Sequence, residues 1–304
     1  MNWIVPKVKL KEYLVNYSFI LPAVAIFGLF YIYPFYEIVN LSLHHWDGIR
    51  PFRDFVGLAN FKALLTDEIW WTSMLNAGYI TLIALSLQNI FAFGLALACD
   101  HEIRMKKFYR VVFFIPPVLS EVVVGLIWQW IYYAGTQNGE HIGLLNYFLH
   151  QMGFTHLVNN WLSDPKTALS CIAVVHCWRG FGWGFLLLLA GLQTIDHQLY
   201  EAAKVDGASG WQVFRNVTIP MMLPVILLVM ILTVLGSMQV FILILSMVES
   251  GLVYHTTVPV IRILDAMTWT NQFGYACAMG VVFGLILITV SLIFKLLTDR
   301  MKQA

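Results

Sequence analysis

The stretch Asn216–Val248 reads NVTIPMMLPVILLVMILTVLGSMQVFILILSMV and contains no charged side chain. A helix needs about 20 predominantly apolar residues to cross the hydrocarbon layer of a bilayer, and this run exceeds that length. Lipid offers no hydrogen-bond partners, so a chain that crosses it must pair its own backbone N–H and C=O groups, as a helix does. The stretch therefore predicts a membrane-spanning helix.

Five further stretches are similarly poor in charge, and each predicts one more span. They are Tyr13–Tyr36, Ile69–Cys99, Val111–Tyr133, Ala168–Leu192 and Ala266–Phe294. Only two of the predicted spans contain a charge, which is Glu121 in the third and Arg179 in the fourth. The sequence thus predicts an all-α integral membrane protein with six transmembrane helices, forming one transmembrane domain over residues 1–304.

The composition of the whole chain agrees with this class. The 304 residues are 59% hydrophobic and 12% charged, and the mean hydropathy is +0.73, whereas a soluble domain typically carries about 25% charged residues. The net charge of +1 gives no general attraction to nucleic acid. The nine His and four Cys residues show no metal-ligand or CxxC spacing. Membrane lipid is therefore an expected partner, while no nucleic acid, metal or bound cofactor is expected.

The distribution of basic residues predicts the orientation of the spans. Most of the 18 Lys and Arg residues fall near the two termini, after the second span and after the fourth. Cytoplasmic segments carry such an excess, so both termini and the connection between the fourth and fifth spans are expected to be cytoplasmic. Lys7, Lys9 and Lys11 also fit a signal peptide, but no small-residue cleavage site follows them, which favours a retained span.

The connection between the fourth and fifth spans predicts two short helices around a glycine. Asp196 can cap the first helix and Ser209 the second, because both side chains accept hydrogen bonds from free backbone N–H groups. Gly207 lies between them and permits the positive φ that turns a chain after a helix end. Such a protrusion implies a recess on a partner. The alternative is an amphipathic loop on the membrane surface, but anionic headgroups would repel Glu201 and Asp206.

The same connection carries a pattern with fixed spacing. Glu201, Ala202 and Ala203 are followed after three residues by Gly207, and after nine more by Val217-Thr218-Ile219-Pro220. This pattern resembles the permease subunits of binding-protein-dependent ABC importers. Other segments are similar to the sugar-permease branch of that family. They are Val56–Phe61 (VGLANF), Ile127-Trp128, Gly143–Asn146 (GLLN) and Ala190–Gln193 (AGLQ).

The resemblance implies a type I ABC importer permease in a bacterial inner membrane. Residues 193–220, which we name the coupling segment, would contact a pair of cytoplasmic ATPase subunits. Its functional residues would be Glu201, Ala202, Ala203, Asp206, Gly207 and Pro220. The resemblance further implies a second permease subunit, usually a different one, and an extracytoplasmic solute-binding protein. ATP and Mg²⁺ would bind the ATPase, since this sequence has no GxxxxGK[ST] phosphate loop.

The two charges inside the spans are candidates for the solute path. A charge near the bilayer centre costs about 2.5–3.5 kcal/mol on insertion scales, so it rarely faces lipid. Counted along ideal helices, Glu121 and Arg179 reach similar depths, and His176 shares a helical face with Arg179. They could line the path as a direct pair or through a bound hydroxyl-rich solute. Alternatively, the two charges form a structural pair or snorkel, and His176 is a satisfied core histidine.

Three other functions compete with a sugar permease. A permease of the same family could carry a solute that is not a sugar. A secondary transporter often shows inverted repeats and several intramembrane acidic groups, whereas this chain shows no evident repeat and one such group. A membrane-embedded enzyme would need paired catalytic side chains at membrane depth, and none is apparent. The sequence therefore favours a transport subunit that is not itself an enzyme.

Overall fold

The structure is a computed structural model, and it describes residues 7–100, 104–137, 140–141, 143–248 and 253–303. These residues are mostly helical. The α-helices are α1 (Lys7–Phe27), α2 (Tyr33–Ser42), α3 (Ala59–Leu65), α4 (Glu68–Ile83), α5 (Asn89–Asp100), α6 (Lys106–Val118), α7 (Glu121–Ile131), α8 (Leu144–Gln151), α9 (Ala168–Leu192), α10 (His197–Val205), α11 (Gly210–Val213), α12 (Ile219–Met238), α13 (Ile242–Met247), α14 (Val253–Thr256), α15 (Pro259–Thr268) and α16 (Phe273–Gln303).

Two short antiparallel strand pairs interrupt the helices. Strand β1 (His44–His45) pairs with β2 (Asp54–Phe55), so that His44 lies opposite Phe55. Strand β3 (Thr136–Gln137) pairs with β4 (Glu140–His141). Both pairs lie in connections between long helices.

Several of the helices join end to end through a single π-helical turn. These turns are Gly28–Ile32 between α1 and α2, Ala84–Gln88 between α4 and α5, and Phe214–Thr218 between α11 and α12. Within the described residues, five continuous helices are long and apolar enough to span a membrane: Val15–Ser42, Glu68–Asp100, Ala168–Leu192, Gly210–Met238 and Phe273–Leu296. The pair α6 and α7 supplies a sixth when counted as one broken span.

The third predicted span, Val111–Tyr133, was expected to be one helix, and this is wrong. Helices α6 and α7 meet at an angle of 94° across Leu119 and Ser120, whose backbones are extended. Pro116 and Pro117 near the end of α6 remove two backbone donors and crowd the preceding turn. A β-carbon on Gly182 of α9 would overlap the Phe113 carbonyl oxygen, so glycine permits this close packing of α9 on α6.

The stretches Asn216–Val248 and Ala266–Phe294 were predicted to hold the fifth and sixth spans, and the structure gives each span its bounds. The fifth ends at Met238, and α13 follows as a separate helix because Phe241 leaves the helical region (φ −151°, ψ −42°). The first residues of the other stretch belong to α15, and the sixth span begins at Phe273, after Asn271 adopts a left-handed conformation (φ 49°).

The chain forms two compact units. The first comprises Met1–Asp67 and Ile263–Leu285. Within it, the buried amide of Asn60 donates to the carbonyl oxygens of Ser42 and His44, each over 2.9 Å. The phenol of Tyr275 donates to a carboxylate oxygen of Asp67 over 2.6 Å. Asn60 therefore fixes the loop that leaves α2, which gives the VGLANF segment a structural role.

The second unit comprises Glu68–Arg262 and Ile286–Ala304. Its core lies between α5, α9 and α12, where small residues on α5 allow large ones on α9 to pack closely. The buried cluster contains Ala92, Ala96, Cys99, Phe185, Leu188, Leu189, Leu192, Met222 and Val229. Asn146 of the GLLN segment is buried too, and its amide oxygen accepts a hydrogen bond from the Trp161 indole over 2.7 Å. This unit holds every candidate site residue.

Candidate functional site

A polar cavity of about 280 Å³ lies among otherwise apolar helices of the second unit. Its polar lining consists of Gln88, Glu121, His176, Arg179 and Thr233. These side chains come from the π-turn before α5 and from helices α7, α9 and α12. Polar and charged groups inside a membrane bundle are costly and commonly mark a solute or ion path. The structure thus brings Glu121, His176 and Arg179 together at one cavity, which is one of the arrangements that the sequence left open.

Two of the residues that line the cavity form an ion pair. The Arg179 guanidinium Nη1 lies 2.7 Å from the Glu121 carboxylate Oε1, and the two side chains are 22% and 30% exposed. Glu121 is the first residue of α7, where the positive end of the helix dipole also favours a carboxylate. Glu121 and Arg179 therefore contact each other directly, with no group between them. The Arg179 Nε is buried and has no hydrogen-bond partner among the described residues.

His176 lines the same cavity, one helical turn from Arg179. Its Nε2 lies within hydrogen-bond distance of the Ser237 hydroxyl on α12, at 2.9 Å. The ring is therefore positioned by α12 and presents part of its surface to the cavity.

Two amide side chains were missed by the sequence analysis: Gln88, which lines the cavity, and Asn89, which lines a neighbouring cavity and contacts Thr233. The Thr233 hydroxyl lies 3.0 Å from Asn89 Oδ1 and 3.4 Å from Gln88 Nε2. Gln88 Oε1 and Asn89 Nδ2 are buried without a hydrogen-bond partner among the residues described. A β-carbon on Gly180 would overlap Gln88 Oε1, so the glycine makes room for that amide. The available signal was the Gln88-Asn89 pair inside an apolar span.

The coupling segment has the capped geometry that its sequence predicts. Asp196 Oδ1 accepts from the Gln198 N–H over 2.9 Å at the start of α10. Ser209 and Gln212 form a reciprocal capping box at the start of α11. Gly207 has φ +72°, and the N–H of Ala208 donates to the Ala203 carbonyl over 3.0 Å, which closes a Schellman turn.

One detail of that segment differs from the prediction. The second helix is not separate, because α11 continues through the π-turn into α12. Pro220 lies two residues after this turn, and the wider turn relieves the clash that a proline ring makes with the carbonyl four residues earlier. The Tyr200 hydroxyl of α10 lies 3.3 Å from that of Thr218 in the turn. Helix α10 is thereby linked to α12.

The surface of the coupling segment is mixed in character. Glu201, Ala202, Asp206 and Gly207 are exposed, and Ala203 is half-buried. Apolar side chains are exposed beside these acidic groups, although a loop that contacts only solvent would normally bury them. Val205 is 86% exposed and Trp211 is 68% exposed. Exposed apolar side chains of this kind are common at sites of protein interaction.

Comparison with known proteins assigns the family. The sequence profile described as "Binding-protein-dependent transport system inner membrane component" matches residues 88–303, which include the whole cavity and the coupling segment. The chain belongs to this family. It is accordingly a multi-pass membrane permease, and the prediction of the family from the Glu201–Pro220 pattern is confirmed.

Individual relatives of this permease match over most of their length. It is 30% identical to the trehalose/maltose transport system permease protein MalF of Thermococcus litoralis, with 82% of each chain covered. It is also 30% identical to the diacetylchitobiose uptake system permease protein NgcF of Streptomyces coelicolor, covering 90% of this chain and 78% of that one.

A solved structure shares the fold of the permease. It is a bacterial alginate ABC transporter in complex with an alginate pentasaccharide-bound periplasmic protein. The match has a TM-score of 0.79 at 20% identity and covers 96% of both chains. The predicted type I ABC importer permease fold is confirmed by this match together with the helical architecture.

Proposed function

We propose that this chain is the membrane-spanning permease subunit of an ATP-driven ABC importer for a sugar or oligosaccharide. It acts as one permease domain in a bacterial inner membrane, with both termini on the cytoplasmic side. An extracytoplasmic binding protein delivers the solute, and a second, homologous permease completes the pathway. The chain itself performs no catalysis and binds no cofactor, since ATP and Mg²⁺ bind the partner ATPase.

The observation that carries this proposal is the chemistry of the cavity. A carboxylate, a guanidinium, an imidazole and an amide converge there, so the site offers both donors and acceptors to hydroxyl groups. Gln88 Oε1 and Arg179 Nε are buried and have no partner in the part of the chain that the structure describes, which favours a ligand that can pair with them. The transport of trehalose, maltose and diacetylchitobiose by relatives supports the same class of solute.

The coupling segment supplies the contact with the ATPase in this proposal. Glu201, Ala202, Asp206 and Gly207 are exposed beside Val205 and Trp211, and this pattern suits a helix that inserts into a recess of a partner. Two cytoplasmic ATPase subunits would each receive one such helix, one from this chain and one from the second permease.

The Tyr200–Thr218 contact gives the proposed coupling a route into the membrane. A displacement of α10 would act on the π-turn Phe214–Thr218, which lies in the first part of the long helix Gly210–Met238. That helix carries Thr233, which lies fifteen residues, or about 22 Å, beyond Thr218 at 1.5 Å per residue. It also carries Ser237, the partner of His176. A rigid movement of α12 would therefore change the polar cavity directly.

Uptake of labelled solutes tests the proposal. Cells that lack this subunit are compared with cells that express it, using a panel of labelled mono- and oligosaccharides and a parallel panel of amino acids. We expect uptake of at least one sugar to require the subunit. Uptake of an amino acid but of no sugar would favour a permease for another solute. Uptake that persists after ATP depletion would favour a secondary transporter.

A further inference from the structure

A second cavity, an open groove of about 380 Å³, lies on the outside of α6 and is lined almost wholly by apolar side chains. Val111, Phe114, Ile115, Val118 and Leu119 form one wall at helical spacing, and Leu186 of α9 forms the other. Val111 and Val118 are 61% and 65% exposed. This face does not belong to the polar cavity, because the two sets of lining residues share no member.

A cation closes one end of the groove. Arg110 lines it one turn into α6, and its Nε is buried with no hydrogen-bond partner among the described residues. No carboxylate of the described residues forms an ion pair with Arg110 either. A guanidinium beside an apolar surface has no negative charge near it to balance its own. Its coplanar N–H donors match the oxygens of a phosphate group.

The length of the groove matches one leaflet of a bilayer. From Arg110 to Leu119 the helix rises nine residues, or about 14 Å at 1.5 Å per residue. The hydrocarbon core of a bilayer is about 30 Å thick, so one leaflet contributes about 15 Å. The groove ends where α6 itself ends, at Val118 and Leu119, before the bend into α7. A headgroup at Arg110 would therefore place an acyl chain along the whole groove.

We infer that the groove binds an anionic phospholipid, with its phosphate on Arg110 and one acyl chain between α6 and Leu186. Charge favours an anionic lipid over a zwitterionic one, because the positive charge of Arg110 is paired with no carboxylate of the described residues. Lys106 donates to the Asp100 carbonyl over 2.9 Å, which leaves Arg110 as the cation that faces the groove. A bound lipid of this kind would brace α6, whose end positions Glu121. The inference does not depend on the identity of the transported solute.

Native mass spectrometry of the full-length protein tests this site. The purified chain is mixed with equal amounts of phosphatidylglycerol and phosphatidylcholine that carry the same acyl chains. We expect phosphatidylglycerol to be retained about tenfold better, equivalent to about 1.4 kcal/mol. Arg110→Gln should remove this preference. Lys107→Gln, which makes the same change in net charge at an exposed position of the same turn, should keep it.

A second pair of variants tests the apolar part without touching Arg110. Ile115→Trp fills the groove and should reduce retention of both lipids severalfold. Val112→Trp introduces the same side chain into α6 outside the groove lining and should leave retention unchanged. Size-exclusion profiles of all variants verify that they fold.

Four results would overturn the inference. One is equal retention of the two lipids by the wild-type chain, and another is an unchanged preference in Arg110→Gln. A third is displacement of the lipid by glycerol 3-phosphate at equal concentration, which would indicate a soluble phosphate site. The last is disulfide or chemical cross-linking of a cysteine at Ile115 to another polypeptide of the importer, which would make the groove a protein interface.

Discussion

Arg179 Nη1 lies 2.7 Å from Glu121 Oε1, although Glu121 stands directly after a 94° break in its helix. Because α7 begins at the break, Glu121 is its first residue and lies beside Arg179 in the middle of α9. The proposed role for this pair in the solute path distinguishes it from an ordinary structural salt bridge, and the two roles predict different behaviour in variants.

Neutralising the pair should impair transport even when no charge is left unpaired. Each single variant, Glu121→Gln or Arg179→Gln, leaves one charge without its partner and should destabilise the protein by about 1–3 kcal/mol. The double variant removes both charges and should recover most of that stability. We expect its solute uptake to remain at least about tenfold below wild type, a loss of about 1.4 kcal/mol. Normal uptake by the double variant would indicate a purely structural pair.

Gly207 is predicted to be required for docking of the ATPase. A β-carbon at its left-handed φ of +72° costs about 1–2 kcal/mol and distorts the turn between α10 and α11. Gly207→Val should therefore reduce the amount of ATPase that co-purifies, while the spans still insert. Gly210→Val is the matched control, because no atom of the described residues lies within 4 Å of a β-carbon there and Gly210 is not among the glycines with positive φ. Equal yields of ATPase with both variants would contradict the docking role.

Gly180 should control the affinity for solute through Gln88. A β-carbon in Gly180→Ala overlaps the Gln88 amide oxygen and forces it out of its position at the cavity. We expect the KM for uptake to rise about tenfold, or about 1.4 kcal/mol. Gly236 lines the same cavity, but no atom in the described part of the chain lies within 4 Å of a β-carbon there. Gly236→Ala should leave the KM nearly unchanged. An equal rise in KM for both variants would contradict a role of Gln88 in solute binding.

The orientation of the chain can be tested with single cysteines. In a parent that lacks Cys99, Cys171, Cys177 and Cys277, a cysteine at Ser209 should be shielded from an impermeant thiol reagent added outside cells. A cysteine at Ser163, in the connection between the third and fourth spans, should react. Both serines are exposed, so burial does not explain a difference between them. Labelling of Ser209 in intact cells would reverse the proposed topology.

The sequence predicts the spans well where hydrophobicity alone decides them. Ala168–Leu192 has the same bounds in the prediction and in the structure, since both of its ends coincide with the ends of an apolar run. Hydrophobicity does not reveal a break inside a run, as between α6 and α7. The pair Pro116-Pro117 was the available signal for that break, and no comparable proline marks the end of α12 at Met238.

Only the charged residues of the candidate site could be predicted from the sequence with a clear physical reason. Glu121 and Arg179 stand out because a charged residue is rare in an apolar span, and the sequence placed them at similar depth. Gln88, Asn89 and Thr233 carry no charge, so a search for charges passes over them. Their role depends on the contact between α5 and α12, which no local pattern encodes.

The central claim is that this permease imports a sugar at the expense of ATP hydrolysed by a partner. The most direct test is accumulation of the labelled sugar in proteoliposomes that contain the importer purified through a tag on this chain. With the binding protein on the solute side and ATP on the ATPase side, we predict accumulation that stops in Gly207→Val and when a non-hydrolysable ATP analogue replaces ATP. Accumulation that needs an ion gradient and proceeds without ATP would contradict the account.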